Sequence, residues 1–263
     1  MRHNTKREPG PGAGEISANF GPDNIHVWLA ALDSSEADLA AFMGILSDDE
    51  KERADRYITG EARRRFITGR GILRRLLALY IPADPEEIVF AYNEYGRPVI
   101  AGPPDSNTVA FNLSHSAGGA LYAISRGATV GVDLERVRTL DFLSISSRFF
   151  ATSEAAALAA LPGSEQMGAF FQCWTRKEAC AKAQGTGLYL NLRDIEVSLG
   201  PGVPPTVVRL SGSTDAAAGW SLHDIDAGGE FKAALAVKAA KTHITRFMYP
   251  EDARPGPRSA ASP

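Results

Sequence analysis

The chain has 263 residues, of which 44% are hydrophobic and 22% charged, and its formal net charge is −3. A chain of this length and composition is expected to be a soluble globular protein with a sizeable core, built as one large domain or two small ones. The net negative charge argues against a dedicated nucleic-acid binder.

Cysteine usage and hydropathy indicate the compartment. The two cysteines, Cys173 and Cys180, lie two turns apart on one predicted helix, too far apart for a disulfide, and they suggest no zinc site. No apolar run reaches membrane-spanning length, and the polar N-terminus lacks a signal-peptide core. We therefore expect a cytoplasmic protein that does not enter a membrane.

Composition divides the chain into two halves between two tails. Residues 1–22 and 250–263 are rich in Gly, Pro and polar residues without hydrophobic periodicity, so we expect both to be largely disordered. Gly127 interrupts the pattern near the middle. We expect the N-terminal half to cover 23–127 and the C-terminal half to cover 128–249.

Helices and strands alternate irregularly in the N-terminal half. Ser47 and Glu50 form a capping box, which predicts a short helix ending near Tyr57. Periodicity predicts longer helices over 36–46 and 61–80, and strands over 25–29, 89–92, 98–100, 109–114 and 120–125. Residues 51 to 75 include nine Lys or Arg residues but only three acidic residues. That excess of positive charge predicts attraction for a polyanion, and the alternative is a solvated helix face.

His115 follows the predicted strand 109–114 and opens the small-residue turn His115-Ser-Ala-Gly-Gly119. The small neighbours leave room for a ligand beside the imidazole. The alternative is a structural histidine whose hydrogen bonds are satisfied within the fold.

The C-terminal half contains a strand with two acidic residues on one face. In Val130-Gly-Val-Asp-Leu-Glu135, apolar residues alternate with Gly131, Asp133 and Glu135, the period of two that a half-buried strand shows. Helices are predicted over 140–149, 153–161 and 165–184, and short strands over 195–199, 206–210, 220–225 and 233–237. Mixed helices and meandering strands indicate an α+β fold.

A third acidic residue lies on the long predicted helix. This helix carries an apolar stripe made of Met167, Phe170, Phe171 and Trp174. Glu178 falls near the centre of that stripe, with Lys182 one turn further. A carboxylate in that position is costly unless a cation or hydrogen-bond donors meet it.

Two acidic residues on a strand, one on a helix and a nearby lysine together predict a magnesium site. Mg²⁺ prefers oxygen ligands and usually shares itself with a substrate phosphate. The alternatives are a solvated strand edge for Asp133 and Glu135, and an i,i+4 ion pair between Glu178 and Lys182 worth about 0.3–0.5 kcal/mol.

Three blocks in one chain are more specific than any of these features alone. They are Asn112-Leu-Ser-His115, Gly131-Val-Asp-Leu-Glu-Arg136 and Trp174-Thr-Arg-Lys-Glu-Ala-Cys-Ala-Lys182, and smaller pieces are Tyr95-Gly-Arg-Pro98, Arg148-Phe-Phe150 and Gly185-Thr-Gly-Leu188. In this order and at these separations, they resemble the Sfp-type 4′-phosphopantetheinyl transferases. The resemblance covers roughly residues 25–240 of the sequence.

The resemblance implies a fold of two similar α+β halves in one chain, with the active site in the cleft between them. It also implies an enzyme that moves the phosphopantetheine arm of coenzyme A onto a serine of an apo acyl or peptidyl carrier protein. Adenosine 3′,5′-bisphosphate would be released. Mg²⁺ would be the metal, with Mn²⁺ as the alternative ion, and the enzyme would be a monomer whose carrier protein docks around residues 138–165.

The resemblance also implies a role for individual residues. Asp133, Glu135 and Glu178 would be the metal ligands. Glu178 would take the serine proton, directly or through a metal-bound water, and Lys182 would contact the coenzyme A phosphates. The remaining implied coenzyme A contacts are His115 at the 3′-phosphate with help from Arg97 and Arg53, and Asn112 and Ser114 from the first block. A family position that often carries lysine falls on Glu50 in this sequence, with Lys51 as a neighbouring substitute.

Two other functions use the same residues. A magnesium-dependent phosphohydrolase would use water as the nucleophile and cleave pyrophosphate without an acceptor. A non-catalytic carrier-protein binder would keep the fold without the chemistry, although all three predicted ligands and Lys182 are present.

Overall fold

The computed structural model describes residues 20–102, 108–185 and 191–249. Most of the two predicted tails and the Thr-Gly-Leu part of Gly185-Thr-Gly-Leu188 lie outside these ranges. Within them, no helix is long and apolar enough to cross a membrane.

Helices and strands are mixed along the described chain, as an α+β fold requires. The helices are α1 (Glu36–Ile45), α2 (Asp48–Asp55), α3 (Gly60–Leu77), α4 (Phe142–Phe149), α5 (Thr152–Ala160), α6 (Gly163–Gln184) and α7 (Thr214–Ala217). The strands are β1 (Asn24–Ala31), β2 (Val89–Tyr92), β3 (Pro98–Ala101), β4 (Val109–Ser116), β5 (Gly119–Arg126), β6 (Val130–Arg136), β7 (Glu196–Val197), β8 (Val207–Arg209), β9 (Ser221–Asp224), β10 (Phe231–Val237) and β11 (His243–Met248).

Two sheets form the centre of the molecule. The first has the strand order β11-β1-β5-β4, and the second has the order β6-β10-β9. Pairing is antiparallel throughout both sheets except between β1 and β11, which run parallel. Two smaller antiparallel pairs, β2 with β3 and β7 with β8, lie outside these sheets.

Alternating side chains give each central sheet two buried faces. On β1, Trp28 belongs to the same core as Leu73 and Leu76 of α3. Its neighbour Val27 belongs instead to a core shared with Val132 of the second sheet. The two sheets therefore pack face to face through residues of β1, β5, β6 and β10, and their outer faces are covered by helices.

The alternation predicted for β6 is confirmed. Val130, Val132 and Leu134 belong to the core between the sheets, so Asp133 and Glu135 project from the opposite face, towards α6. The capping box predicted at α2 is also present, since the Ser47 N–H donates to the Glu50 carboxylate over 3.1 Å.

Several features differ from the prediction. Phe20, which belongs to the predicted disordered tail 1–22, is buried in the core that contains Trp28, and the short helix α7 was not predicted. β4 continues to Ser116, so His115 lies inside a strand and not in the turn after it. β11, which was not predicted, pairs with β1 and so places the end of the predicted C-terminal half in the sheet of the N-terminal half. Only Ile244 and Phe247 of the His243–Met248 segment are half-buried, and the other four residues are exposed. The two apolar residues are three positions apart, so the sequence does not show the period of two that would predict a strand.

Candidate functional site

A cavity of about 380 Å³ lies between β4, β6 and α6. It is lined by Leu113, Ser114, His115, Asp133, Glu135, Trp174, Glu178 and Lys182. Six of the nine residues predicted to form the site therefore come together here, and the other three, Arg53, Arg97 and Asn112, do not line it.

Gly131 sets the distance between β6 and α6. A Cβ atom at this position would lie 2.2 Å from the carbonyl oxygen of Ala179 and 2.3 Å from the backbone N of Ala183. Only a residue without a side chain lets the helix rest directly on the strand. This close contact brings Glu178 and Lys182 of α6 to the acidic residues of β6.

Asp133 has one carboxylate oxygen bound and one free. Its Oδ1 accepts a hydrogen bond from Ser114 Oγ at 2.9 Å and lies 2.6 Å from Lys182 Nζ. Lys182 Nζ also donates to Ser114 Oγ over 3.0 Å. Asp133 Oδ2 is buried and has no hydrogen-bond partner among the described residues. A buried carboxylate oxygen without a donor is costly, so this atom is suited to receive a cation or a ligand.

Glu135 is held in the same manner from the other side. Its Oε2 accepts from Ser116 Oγ at 3.0 Å and lies 3.2 Å from Nη1 of Arg138. A second cavity of about 680 Å³ adjoins this carboxylate and is lined by Ser116, Ala117, Glu135, Arg136, Val137 and Arg138.

Glu178 lies in an acidic and partly buried environment. Burial is the main cause that raises the pKa of its carboxyl above the ordinary value, and the negative charges of Asp133 and Glu135 add to it. The ammonium of Lys182 offsets part of this effect. Lys182 forms its ion pair with Asp133, so the i,i+4 pair that was the alternative for Glu178 and Lys182 is not the arrangement found.

Side chains of β4 join the two sheets above the cavity. The Val132 N–H donates to Asn112 Oδ1 over 2.8 Å, and the Arg136 N–H donates to Ser116 Oγ over 3.2 Å. Together with the bond from Ser114 to Asp133, alternate residues of β4 thus bind β6 through their side chains. Asn112, assigned to coenzyme A by the resemblance, uses its carbonyl oxygen in this junction.

Arg97 is a structural clamp in this arrangement. Its Nη1 donates to the carbonyl of Lys182 over 2.8 Å. Its Nη2 donates to the carbonyls of Val130 and Phe111 over 2.9 and 3.2 Å. Burial lowers the pKa of the guanidinium. These donors bind carbonyl groups of β4, β6 and α6, and the contact of Arg97 with the 3′-phosphate stays a prediction.

The other predicted phosphate contacts differ in their environments. His115 lines the cavity, and burial together with the charge of Lys182 lowers the pKa of its imidazole. Arg53 lies on the exposed surface of α2, with its guanidinium 5.5 Å from the centre of the Phe66 ring.

Much of the positive charge between residues 51 and 75 is neutralised within the protein. Glu50, 2% exposed, forms buried ion pairs with Arg70 and Arg74. Three further arginines, Arg63, Arg64 and Arg65, are paired with Asp55, Glu36 and Glu61. Glu50 is therefore a structural residue that holds Arg70 and Arg74 in place.

The carboxylates of the cavity are candidate ligands for a metal ion. Among the residues that the structure describes, no three His, Cys, Asp or Glu side chains are arranged to hold a metal ion as they stand. Lys182 and Arg138 are bound to two of the acidic residues instead. The donor set nevertheless fits a small divalent cation, because it offers carboxylate oxygens only, including the unpartnered Asp133 Oδ2.

Comparison with known proteins gives a consistent result. The family model described as "4'-phosphopantetheinyl transferase superfamily" matches residues 129–236, and the model "4'-phosphopantetheinyl transferase, N-terminal" matches residues 31–125. The chain is 38% identical over 216 residues to the 4'-phosphopantetheinyl transferase HetI of Nostoc, which covers 82% of this chain and 88% of HetI. It is 31% identical over 165 residues to the 4'-phosphopantetheinyl transferase Sfp of Bacillus subtilis, covering 63% of this chain and 71% of Sfp.

A solved holo-(acyl-carrier-protein) synthase from Bacillus anthracis, in complex with CoA (3',5'-ADP), is 24% identical and covers 41% of this chain and 93% of the synthase, with a TM-score of 0.34. The two sequence relatives and the two family models, which together span most of the described residues, decide the family. The chain belongs to the 4′-phosphopantetheinyl transferase superfamily.

Proposed function

We propose that this protein transfers the 4′-phosphopantetheine arm of coenzyme A to a serine hydroxyl of an apo acyl or peptidyl carrier protein. One observation carries the proposal. In a chain of this family, one cavity is lined by Asp133, Glu135, Glu178 and Lys182, and the Lys182 ammonium is paired with Asp133. That combination of oxygen ligands and a fixed cation suits a pyrophosphate substrate.

The reaction exchanges one phosphorus–oxygen bond for another. The serine oxygen forms a bond to the phosphorus that carries the pantetheine arm. The bond from this phosphorus to the oxygen of the second phosphate breaks, and adenosine 3′,5′-bisphosphate leaves with the electron pair. Such transfers depend mostly on positioning and on neutralising the charge of the phosphates.

Glu178 is the proposed acceptor of the serine proton. Its carboxylate lines the cavity together with Asp133 and Glu135, and a carboxylate within hydrogen-bond reach of the serine hydroxyl can serve as its general base. It faces the cavity directly, so the carrier serine can approach it from solvent.

Lys182 is the proposed electrostatic partner of the leaving phosphate. An ammonium has three donors, and Ser114 and Asp133 take two of them. The third is available to a phosphate oxygen in the cavity. Asp133, Glu135 and Glu178 would hold Mg²⁺, or Mn²⁺ in its place, and the bound ion would supply positive charge to the pyrophosphate oxygens.

His115 and Arg53 remain the proposed contacts of the 3′-phosphate. Because the pKa of His115 is lowered, the neutral imidazole donates a single hydrogen bond at neutral pH. Arg97, Asn112 and Ser114 are proposed to support the site from within the protein. From the family architecture of two halves in one chain, we propose a monomeric enzyme that acts in the cytoplasm, where coenzyme A is available.

Intact-mass spectrometry tests this function. An apo acyl carrier protein and an apo peptidyl carrier protein are each incubated with coenzyme A, Mg²⁺ and either the natural protein or Glu178→Gln. We expect a mass gain of one phosphopantetheine unit that a chelator abolishes and that Glu178→Gln slows by roughly 10²–10⁴-fold.

The other outcomes identify the alternatives. Cleavage of coenzyme A without a mass gain would indicate a hydrolase. Neither cleavage nor mass gain with both carriers would contradict the transferase and leave a binding protein.

A further inference from the structure

The two acidic residues of β6 are held by the same arrangement of neighbouring side chains. In each, one carboxylate oxygen accepts from a β4 serine and contacts a cationic side chain. Asp133 Oδ1 is held by Ser114 and Lys182. Glu135 Oε2 is held by Ser116 and Arg138, at 3.0 and 3.2 Å.

From this repetition we infer that Ser116 and Arg138 are positioning residues that fix Glu135 as a metal ligand. They bind Oε2, and the other oxygen, Oε1, would then bind the cation. The inference rests on the proposed function, which requires a divalent cation beside Glu135. Neither residue belongs to the set predicted from the sequence.

The Ser116 hydroxyl is oriented by its own environment. The backbone N–H of Arg136 donates to Ser116 Oγ over 3.2 Å. Because that contact occupies an acceptor position of the hydroxyl, its single proton is directed to Glu135 Oε2. A glutamate side chain has several rotatable bonds, and a fixed donor removes much of that freedom before the metal arrives.

Arg138 is held in place by a second contact. Its guanidinium lies 5.7 Å from the centre of the Phe171 ring on α6, and it also forms the ion pair with the Glu135 carboxylate. Arg136, two residues earlier, provides a natural comparison. Its ion pair is with Glu230, at 3.5 Å.

Positioning and simple charge effects predict opposite results for Arg138. If Arg138 acted only through its positive charge, it would repel a cation, and its removal would tighten metal binding. If it positions Glu135, its removal weakens metal binding despite the loss of a repelling charge. Ser116 separates the two effects further, since replacing it changes no charge.

The test measures Mn²⁺ binding directly, from the electron paramagnetic resonance signal of free Mn²⁺, with coenzyme A present and no carrier protein. We expect Ser116→Ala to raise the half-saturating Mn²⁺ concentration about tenfold or more, because the loss of a hydrogen bond that orients a metal ligand weakens metal binding by such factors. The matched control is Ser125→Ala, a fully buried β5 serine that donates to the carbonyl of Ala128. We expect no change in Mn²⁺ binding for this control.

The arginine pair is measured in the same way. Arg138→Gln is expected to raise the half-saturating Mn²⁺ concentration, whereas Arg136→Gln, which removes the same charge two residues away, leaves it unchanged or lowers it. Urea unfolding of each variant verifies that the fold is intact. The Mg²⁺ dependence of transfer should show the same order, with a larger effect on the Mg²⁺ requirement than on the rate at saturating Mg²⁺.

Each residue is decided by its own variant. Ser116→Ala with the Mn²⁺ affinity of the natural protein would overturn the role of Ser116, and Arg138→Gln that matches Arg136→Gln would overturn the role of Arg138. Failure of the proposed function would appear differently. The natural protein would then transfer nothing, while Mn²⁺ binding by the variants would still decide the roles of Ser116 and Arg138. If the natural protein bound no Mn²⁺, the inference that these residues position a metal ligand would be overturned.

Discussion

The neighbouring charged residues Lys177 and Glu178 of α6 point in different directions, and their roles follow from where they point. Glu178 and Lys182 line the cavity. Lys177, the neighbour of Glu178, is fully buried on the other side, where its ammonium donates to Glu154 and to the carbonyl of Ile195. Glu154 also accepts the backbone N–H of Val197 over 2.7 Å. The buried ion pair between Lys177 and Glu154 therefore fixes the rotation of α6, and with it the direction in which Glu178 and Lys182 point.

Replacing each of the two lysines separates stability from catalysis. Lys177→Met leaves the buried charge of Glu154 without its partner, so we expect a loss of about 3–5 kcal/mol in the free energy of unfolding. Lys182→Met also removes the cation beside Asp133, but the Lys182 side chain is 30% exposed and Asp133 keeps its hydrogen bond from Ser114. We therefore expect a smaller loss of stability than for Lys177→Met, together with the loss of most of the transfer activity. Urea unfolding and the intact-mass assay measure the two effects. Equal stability losses in both variants would refute the distinction.

His26 is expected to make stability depend on pH. Its ring is buried among Phe20, Tyr80 and Phe247, and burial lowers its pKa from 6.5 to about 4. The unfolded chain therefore binds a proton below pH 6.5 while the folded protein resists it, and stability falls as the pH drops from 6.5 to about 4.

At pH 5 this histidine should cost about 2 kcal/mol of unfolding free energy relative to neutral pH. Urea unfolding at both pH values, for the natural protein and for His26→Gln, isolates its contribution. The variant should be less sensitive to pH by that amount. An unchanged difference between the two pH values would show that His26 does not carry the effect.

The residues of the cavity could be predicted to the extent that periodicity orients side chains. Period two on β6 correctly placed Asp133 and Glu135 on one face, and helical spacing correctly related Glu178 to Lys182. Ser116 and Arg138 could not be predicted, because their importance comes from contacts with Glu135 and not from a pattern. The burial of Lys177 was missed because its ion-pair partner, Glu154, lies on another helix.

At the scale of elements, the contact between β6 and α6 builds the site. Gly131→Ala would drive a methyl group into the backbone of Ala179 and Ala183, so the helix must move away from the strand. Overpacking of this kind costs about 1–3 kcal/mol, and a misplacement of about 1 Å can slow a reaction roughly 10²-fold. We expect both losses in this variant.

Gly168, a glycine of α6 itself, provides the control for Gly131. A Cβ at Gly168 would meet nothing within 4 Å, so Gly168→Ala should stabilise the protein by up to about 1 kcal/mol through helix propensity. Transfer should not change. Thermal unfolding and the transfer assay decide the comparison, and a Gly131→Ala variant as active as Gly168→Ala would contradict the close-contact explanation.

Most elements could be predicted because each carries a local signal. The capping box predicted the start of α2. Gly185, which follows the periodic stretch, has a φ of 76° and ends α6 as predicted. β11 carries no such signal. It is a strand at the edge of the first sheet that depends on its parallel partner β1 at the other end of the chain, and pairing between such distant segments leaves no local pattern.

At the scale of the whole molecule, two sheets packed face to face bring the site together. Side chains of β4 bind β6 at this junction, and Arg97 joins β4, β6 and α6. The resemblance to a known family predicted two α+β halves with a cleft between them, but the sharing of β11 between the halves depended on the three-dimensional structure. The cavity forms only when β4, β6 and α6 come together in the folded chain, so no single segment of the sequence predicts it.

Anomalous diffraction from crystals grown with coenzyme A and Mn²⁺ would test most directly whether this cavity is the transferase site. We predict a Mn²⁺ peak within coordinating distance of Asp133, Glu135 and Glu178, with the pyrophosphate of coenzyme A beside it and Lys182 in contact with a phosphate oxygen. A peak elsewhere, or coenzyme A bound away from these carboxylates, would contradict the assignment of the site.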